Sequence, residues 1–326
     1  MNNAITTMNF STQRITKWFN SCVHTYTDAL TSIRRFLPEF ERRCFALGES
    51  DYPKTALNKR LDMIVRKPIG DDHDYVPVGV VSKEYKLIPH TEVFDCAVQA
   101  MSAAIISLSD ITVEMTITEY GERMSLSMYL PPKYDFIEPD GNRISLRLVL
   151  LNSVEGSTRF HAFVGWYRLV CSNGLIIGVA KSELKARHVG DMNPSMVYDA
   201  LEQGLLDSEN DRVTFREWQK IPINEKKLEQ WVTKPLRNSW GFKAAARAYH
   251  IATTGHDAKV SPPYTGRTPL KANIKSLGRV PGCPQRASNV FDISQILSWI
   301  ATQRRDIQEQ FAWQQQIPEL MQEYLI

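Results

Sequence analysis

Ile111 to Leu130 reads ITVEMTITEYGERMSLSMYL, and its apolar residues fall at every second position. Ile111, Val113, Met115 and Ile117 alternate with Thr112, Glu114, Thr116 and Thr118. Beyond Tyr120-Gly121-Glu122, Met124, Leu126, Met128 and Leu130 alternate with Arg123, Ser125, Ser127 and Tyr129. A period of two sends successive side chains to opposite faces, so each run is a strand with one face buried and one polar. The short connection between them suits a hairpin.

Working outward, Ile144 to Leu151 is a third strand, reached through a longer connection with the Asp140-Gly141 turn signal. Arg159 to Gly178, RFHAFVGWYRLVCSNGLIIG, supplies a fourth strand, Phe160 to Cys171, that ends at an Asn-Gly turn. These strands make an antiparallel meander with helices before and after to cover its apolar face. The class is therefore α+β: an antiparallel β-meander packed with helices, plus a helical, basic C-terminal region.

Strand parity places Arg123, Tyr129, Arg147, His161 and Tyr167 on the polar face. That face is either ordinary solvated or covered surface, or a platform where rings stack bases and arginines neutralise phosphates. Cys171 has no histidine within reach on its own strand: His161 lies ten residues away, about 33 Å along an extended chain. It is read as a structural cysteine beside a turn rather than a nucleophile.

Upstream, residues 1–47 read as a helical arm, with Ile15, Phe19, Cys22, Tyr26, Ala29, Ile33 and Phe36 or Leu37 at helical steps. Pro38 kinks or ends this arm and Gly48 closes it. Residues 48–190 form the α+β core. Within it, the cluster Gly70-Asp71-Asp72-His73-Asp74 reads as a solvated turn, since a metal needs further ligands from elsewhere. Tyr75 to Val81 reads as a strand and Thr91 to Ser107 as a helix capped by Thr91.

Downstream, residues 191–254 are helical: Pro194 to Leu206 starting near Asn193, Glu217 to Val232, and Trp240 to Thr253 capped by Asn238 or Ser239. On the last of these, Lys243, Arg247 and His250 share one stripe at steps of four and three. Residues 255–290, rich in Pro and Gly, read as a basic flexible loop carrying Lys259, Arg267, Lys271, Lys275, Arg279 and Arg286 against the single acid Asp257. Residues 291–326 read as an amphipathic helix from about Asp292, with Pro318 as its breaker.

Charge is unevenly shared. Between Asp211 and Arg286 stand 15 Lys/Arg against 5 Asp/Glu, a local +10 inside a chain of net charge +3. A basic segment of this kind points to a polyanionic partner. A hydrophobic fraction of 43% with 23% charged residues is that of a folded globular chain. The longest apolar runs, such as Leu175 to Ala180, are far below the roughly 20 residues of a membrane span, and the N-terminus lacks a secretory pattern. Five scattered cysteines with no close pair read as reduced thiols in a cytoplasmic protein.

Three segments together resemble a phage/plasmid-like domain-of-unknown-function family, family 932, of mobile genetic elements. They are Val78 to Leu87, VGVVSKEYKL; Trp166 to Gly174, WYRLVCSNG; and, more loosely, Asn289-Val290-Phe291-Asp292. The resemblance implies context, a prokaryotic host cell and a role in DNA transfer, recombination or evasion of host defence, and brings no catalytic residues with it.

The functional expectation is a non-enzymatic DNA-binding protein, with single-stranded DNA favoured, acting in recombination as annealing proteins do. Lys243, Arg247, His250, Arg267, Lys271, Lys275, Arg279 and Arg147 would meet phosphates, and Tyr167 and other aromatics would stack on bases. A homo-oligomer would accompany annealing. The alternative is an anti-defence protein that inhibits a host immune complex by direct contact. An enzyme is disfavoured: the sequence has no glycine-rich phosphate loop, HExxH pair or nucleophile elbow, although carboxylates such as Glu114, Asp135 and Glu138 could converge in space. No cofactor or metal is expected.

Overall fold

The computed structural model describes residues 23–45, 57–70, 73–139, 141–168, 175–177, 184–186 and 196–326. Ile15, Phe19, Cys22, Gly48, Asp140, Asn193 and the segment from Leu169 to Gly174 lie outside them, and so do the expectations placed there.

In chain order the elements are β1 (Val23–Ala29), α1 (Leu30–Ile33), β2 (Phe40–Cys44), β3 (Leu61–Arg66), β4 (Val76–Ser82) and α2 (His90–Ala103). Then follow β5 (Thr112–Thr118), β6 (Arg123–Tyr129), β7 (Phe136–Ile137), β8 (Arg143–Ser153), β9 (Phe160–Arg168), β10 (Leu175–Ile177) and β11 (Leu184–Ala186). The remainder is α3 (Met196–Lys220), α4 (Glu225–Trp231), α5 (Arg237–Thr254), β12 (His256–Ser261), β13 (Asn273–Arg279), α6 (Val290–Thr302) and α7 (Ile307–Leu325).

The chain divides into two compact units. The first comprises residues 1–134, 147–164 and 182–205. It holds the expected meander: β5 pairs antiparallel with β6, with Val113 opposite Met128, and β6 with β8, with Leu126 opposite Leu150. Met115, Met124 and Leu126 are fully buried, as the alternation requires. A separate antiparallel sheet, β2-β3-β4, carries the expected strand near Tyr75 to Val81.

The helical arm is corrected where it is described. Val23–Ala29 is an edge strand paired with β5, and only four residues, Leu30–Ile33, are α-helical. Tyr26 and Ile33 do recur at helical spacing, but the intervening β-branched and polar residues, His24, Thr25 and Thr27, alternate equally well. The unpaired edge of β5 decides the outcome by offering ladder hydrogen bonds. The cap of α2 is Pro89 rather than Thr91.

The second unit comprises residues 135–146, 165–181 and 206–326. Its core is aromatic: Phe215 lies 5.8 Å from Trp166, 5.6 Å from Phe136 and 5.5 Å from Phe291, ring centre to ring centre. The Trp166 indole donates to Asp211 Oδ2 at 3.1 Å, satisfying a buried N–H. The C-terminal residues form two helices rather than one, and Pro318 sits inside α7 instead of ending it. The break falls at residues 303–306. The Lys227 ammonium and the Trp231 indole donate to the Leu325 and Leu320 carbonyls, tying α4 to α7. A π turn, Val232–Leu236, precedes α5, and Gly241 inside α5 has φ +83°, so neither Asn238 nor Ser239 caps that helix.

The expected flexible loop at residues 255–290 is a β-ribbon. β12 pairs antiparallel with β13, with Lys259 opposite Lys275 and Val260 opposite Ile274. Proline and glycine are dense only in the turn and in the segment that follows β13, while the strands themselves carry lysine at their outward positions and so show no apolar alternation. Gly255, at φ +71°, ends α5 with a left-handed residue and turns the chain directly into β12. A Cβ there would stand 2.5 Å from the Pro284 carbonyl oxygen, so the turn admits only glycine.

Candidate nucleic-acid interface

The ribbon has two unlike faces. Ala258 is buried, and Ser276 accepts or donates a 3.2 Å hydrogen bond with His250 Nε2 of α5. Alternation then turns Val260 and Ile274 the same way, toward α5, and sends Lys259, Ser261, Asn273, Lys275 and Leu277 outward. Lys259 and Lys275 are exposed and directly opposite each other. Arg279, also exposed, lies beyond the register shift, opposite His256, its Nη2 donating to the Cys283 carbonyl at 3.3 Å. Arg267 and Lys271 are exposed in the turn between the strands, Arg267 donating to Asn273 Oδ1 at 2.8 Å.

Among the described residues no carboxylate lies within ion-pair reach of Lys259, Lys271, Lys275, Arg267 or Arg279. Like charges directly opposite in a ladder destabilise it. This arrangement therefore costs free energy in the isolated chain and is relieved by an anion.

A buried hub fixes the ribbon's base. Asp257, 8% exposed, accepts from Arg247 Nε and Nη2 through its two oxygens, from the Trp299 indole at 3.1 Å and from the Ala258 N–H at 2.7 Å. Burial pushes the Asp257 carboxyl up, but hydrogen bonding and charge from Arg247, with the Ala258 and Trp299 donors, outweigh it and hold the group below its ordinary value. The register shift between His256 and Ala258 lets Asp257 turn inward beside them.

The residues singled out in the sequence thus separate. Lys243 is exposed, with its ammonium 4.5 Å from the Tyr264 ring centre. Arg247 belongs to the Asp257 hub. His250 is half-buried, and burial, then the neighbouring His256, lower its pKa below the ordinary 6.5, with Asp257 opposing. This shift favours the neutral imidazole. Lys271, Lys275, Arg267 and Arg279 converge on the ribbon, joined by Lys259.

Arg147 belongs to the first unit, and Tyr167, although in the second unit, lies on β9 and not on the ribbon. Arg147 is 4% exposed, its Nη1 donating to Ser127 Oγ at 3.1 Å, so it is not on an open sheet face. The apolar content of β8, buried along nearly its whole length, overrides strand parity there. Tyr167 is half-buried and opposite Ile176 of β10.

The aromatics interleaved with the basic residues are core. Phe215, Trp218, Trp231, Trp240 and Phe242 are all buried. Only a high local density of tryptophan was visible in the sequence, and density does not report facing. Of the acidic residues considered for catalysis, Asp135 is ion-paired with Arg143 and Glu114 accepts from the Tyr129 hydroxyl at 3.3 Å. Among the described residues no group of three or more His, Cys, Asp or Glu is placed to hold a metal ion.

The following described residues of the segments behind the family resemblance hold the framework together. In Val78 to Leu87, Gly79 packs so closely that a Cβ would stand 2.4 Å from Glu155 Cβ. The Lys83 ammonium pairs with the buried Asp62, and Tyr85 donates to the Ser153 carbonyl at 3.0 Å. Asn289 and Asp292 form a capping box that starts α6.

Residues 77–272 match the family model described as "Domain of unknown function (DUF932)". Two proteins of Escherichia coli (strain K12) are similar over short stretches. UPF0380 protein YfjQ is 34% identical over 55 residues, 17% of this chain and 20% of that protein. UPF0380 protein YafZ is 34% identical over 61 residues, 18% of this chain and 22% of that protein. The aligned stretch thus spans about a fifth of the length of these curated relatives. No solved structure matches the chain. The family match covers more than half of the sequence, from β4 through the Asp257 hub to the turn of the ribbon, and the chain belongs to the DUF932 family.

Proposed function

We propose that this chain is a non-enzymatic nucleic-acid-binding protein of a mobile genetic element that meets its partner through the outward face of the β12–β13 ribbon. One observation carries the reading: Lys259 and Lys275 face each other across the ladder with Arg267, Lys271 and Arg279 around them and no described carboxylate in reach. Phosphates supply the missing counter-charge. Each phosphate neutralised contributes a slope of about −0.9 in log K against log salt on B-form DNA, so five cations set a ceiling of about −4.5.

The test is fluorescence anisotropy of a labelled oligonucleotide titrated with the purified chain across a salt series. Tight binding at low salt that weakens steeply as salt rises is the expected result. No binding to any nucleic acid at low salt would overturn it and favour inhibition of a host defence complex by direct contact, which co-purification under nuclease treatment would then establish.

A further inference from the structure

Resting on the reading above, we infer that the preferred partner is duplex DNA, entered by the ribbon through the major groove, rather than a single strand. Single-strand binding without sequence preference uses aromatic side chains as stacking platforms. Neither β12, HDAKVS, nor β13, NIKSLGR, contains a phenylalanine, tyrosine or tryptophan, and the one ring there, half-buried His256, has its Nδ1 3.1 Å from the Leu277 carbonyl oxygen. The tryptophans and phenylalanines of the surrounding helices are buried except half-buried Trp313, whose ring is stacked on Trp240 at 4.5 Å and has the Arg304 guanidinium 4.3 Å from its centre. The Tyr264 ring in the turn already has the Lys243 ammonium over it and Phe242 at 6.1 Å, and the Tyr249 hydroxyl is bonded to Glu229.

The shape of the ribbon points the same way. Two strands lie about 4.8 Å apart, and a two-stranded ribbon with its side chains fits a groove about 12 Å wide but not one of about 6 Å, the major and minor grooves of B-form DNA. Along β13, Lys275 and Arg279 stand four residues apart across the register shift, at most about 14 Å at the rise of a strand, within reach of the walls of a groove about 12 Å wide. Lys259 doubles the charge at the position of Lys275, and Arg267 and Lys271 extend it to the tip. The deep, narrow major groove of A-form RNA admits no such element, so the same geometry discriminates against duplex RNA.

The discriminating experiment compares three labelled probes of one mixed sequence, about two helical turns or roughly 20 base pairs long: duplex DNA, the single DNA strand and duplex RNA. Each is titrated with the intact chain at one salt concentration, and the DNA complex is footprinted with dimethyl sulfate, which methylates guanine N7 in the major groove and adenine N3 in the minor groove. The expected result is at least about tenfold tighter binding of duplex DNA than of either other probe, with guanine N7 protected and adenine N3 still reactive. The double variant Lys259→Ala/Lys275→Ala, shown by circular dichroism and melting to be folded, is expected to lose the protection. Equal or tighter binding of the single strand or of duplex RNA overturns the inference while leaving nucleic-acid binding intact, as does protection confined to adenine N3. Absence of binding to all three probes overturns both.

Discussion

Arg247 of α5 grips both carboxylate oxygens of Asp257 at the mouth of the β12–β13 ribbon. Sequence spacing places Arg247 in a basic stripe with Lys243 and His250, but the structure spends its charge inside the protein. The ion pair is mostly buried, with side-chain exposures of 20% and 12%. Losing one partner of such a pair strands the other charge, so Asp257→Ala is expected to destabilise the chain by about 2 to 4 kcal/mol in urea denaturation. Trp299→Phe removes a single hydrogen bond to the same carboxylate and is expected to cost about 1 kcal/mol.

The pH dependence of this hub has a definite sign. Asp257 is held below its ordinary value of 3.8 in the folded chain, so its contribution is present above that value and is lost as pH falls through the folded pKa. Denaturation between pH 5 and pH 2, estimated from about the ordinary carboxylate range, is expected to show a shallower acid limb in Asp257→Asn than in the wild type. An unchanged acid limb would show that Arg247 does not hold the carboxylate ionised.

Burial and the neighbouring His256 lower the pKa of His250 from 6.5 and favour its neutral form. The salt slope of nucleic-acid binding at about pH 7.5, a unit above the ordinary histidine value, is therefore expected to be the same in His250→Gln and wild type. The folded pKa is depressed, so this histidine's term is fully favourable above pH 6.5 and erodes as pH falls toward the folded value, where the unfolded chain takes up the proton first.

The segment VGVVSKEYKL earns its place through packing. Gly79→Ala forces a methyl group into the Glu155 side chain and is expected to cost about 1 to 3 kcal/mol. Tyr85→Phe leaves the buried Ser153 carbonyl without its 3.0 Å donor, a loss of about 1 to 2 kcal/mol. Differential scanning calorimetry of both variants checks these values. Neither substitution touches the ribbon, and nucleic-acid affinity at a temperature where both are folded is expected to be unchanged.

Legibility in the sequence followed how local the decisive interaction was. The alternation of Val113, Met115, Met124 and Leu126 survives into the structure because each position's face is set by its own backbone. The strand Val23–Ala29 was hidden because a distant edge, β5, decides it. The ribbon was hidden for a different reason: its outward lysines, the very residues that make it a candidate interface, erase the apolar signature of a strand. Composition revealed that Lys271, Lys275, Arg267 and Arg279 share a basic region. It did not reveal that Lys259 stands opposite Lys275, nor that Arg247 is neutralised by Asp257 and that Arg147 is buried. Pairing across a ladder and burial of a charge are properties of the folded chain.

The most direct test of the ribbon as the binding surface is a paired measurement on Lys275→Glu. In the free chain this change replaces a like-charge pair with Lys259 by an opposite-charge pair and is expected to stabilise folding by a few tenths of a kcal/mol, up to about 1. In the same protein, binding to DNA is expected to weaken by at least about tenfold, and its log K against log salt slope to become shallower by about 1 or more. Stability raised and affinity lowered together would show a ladder built for a polyanion at the expense of the free fold. Affinity and salt slope equal to those of the wild type, in a variant that remains folded, would contradict it.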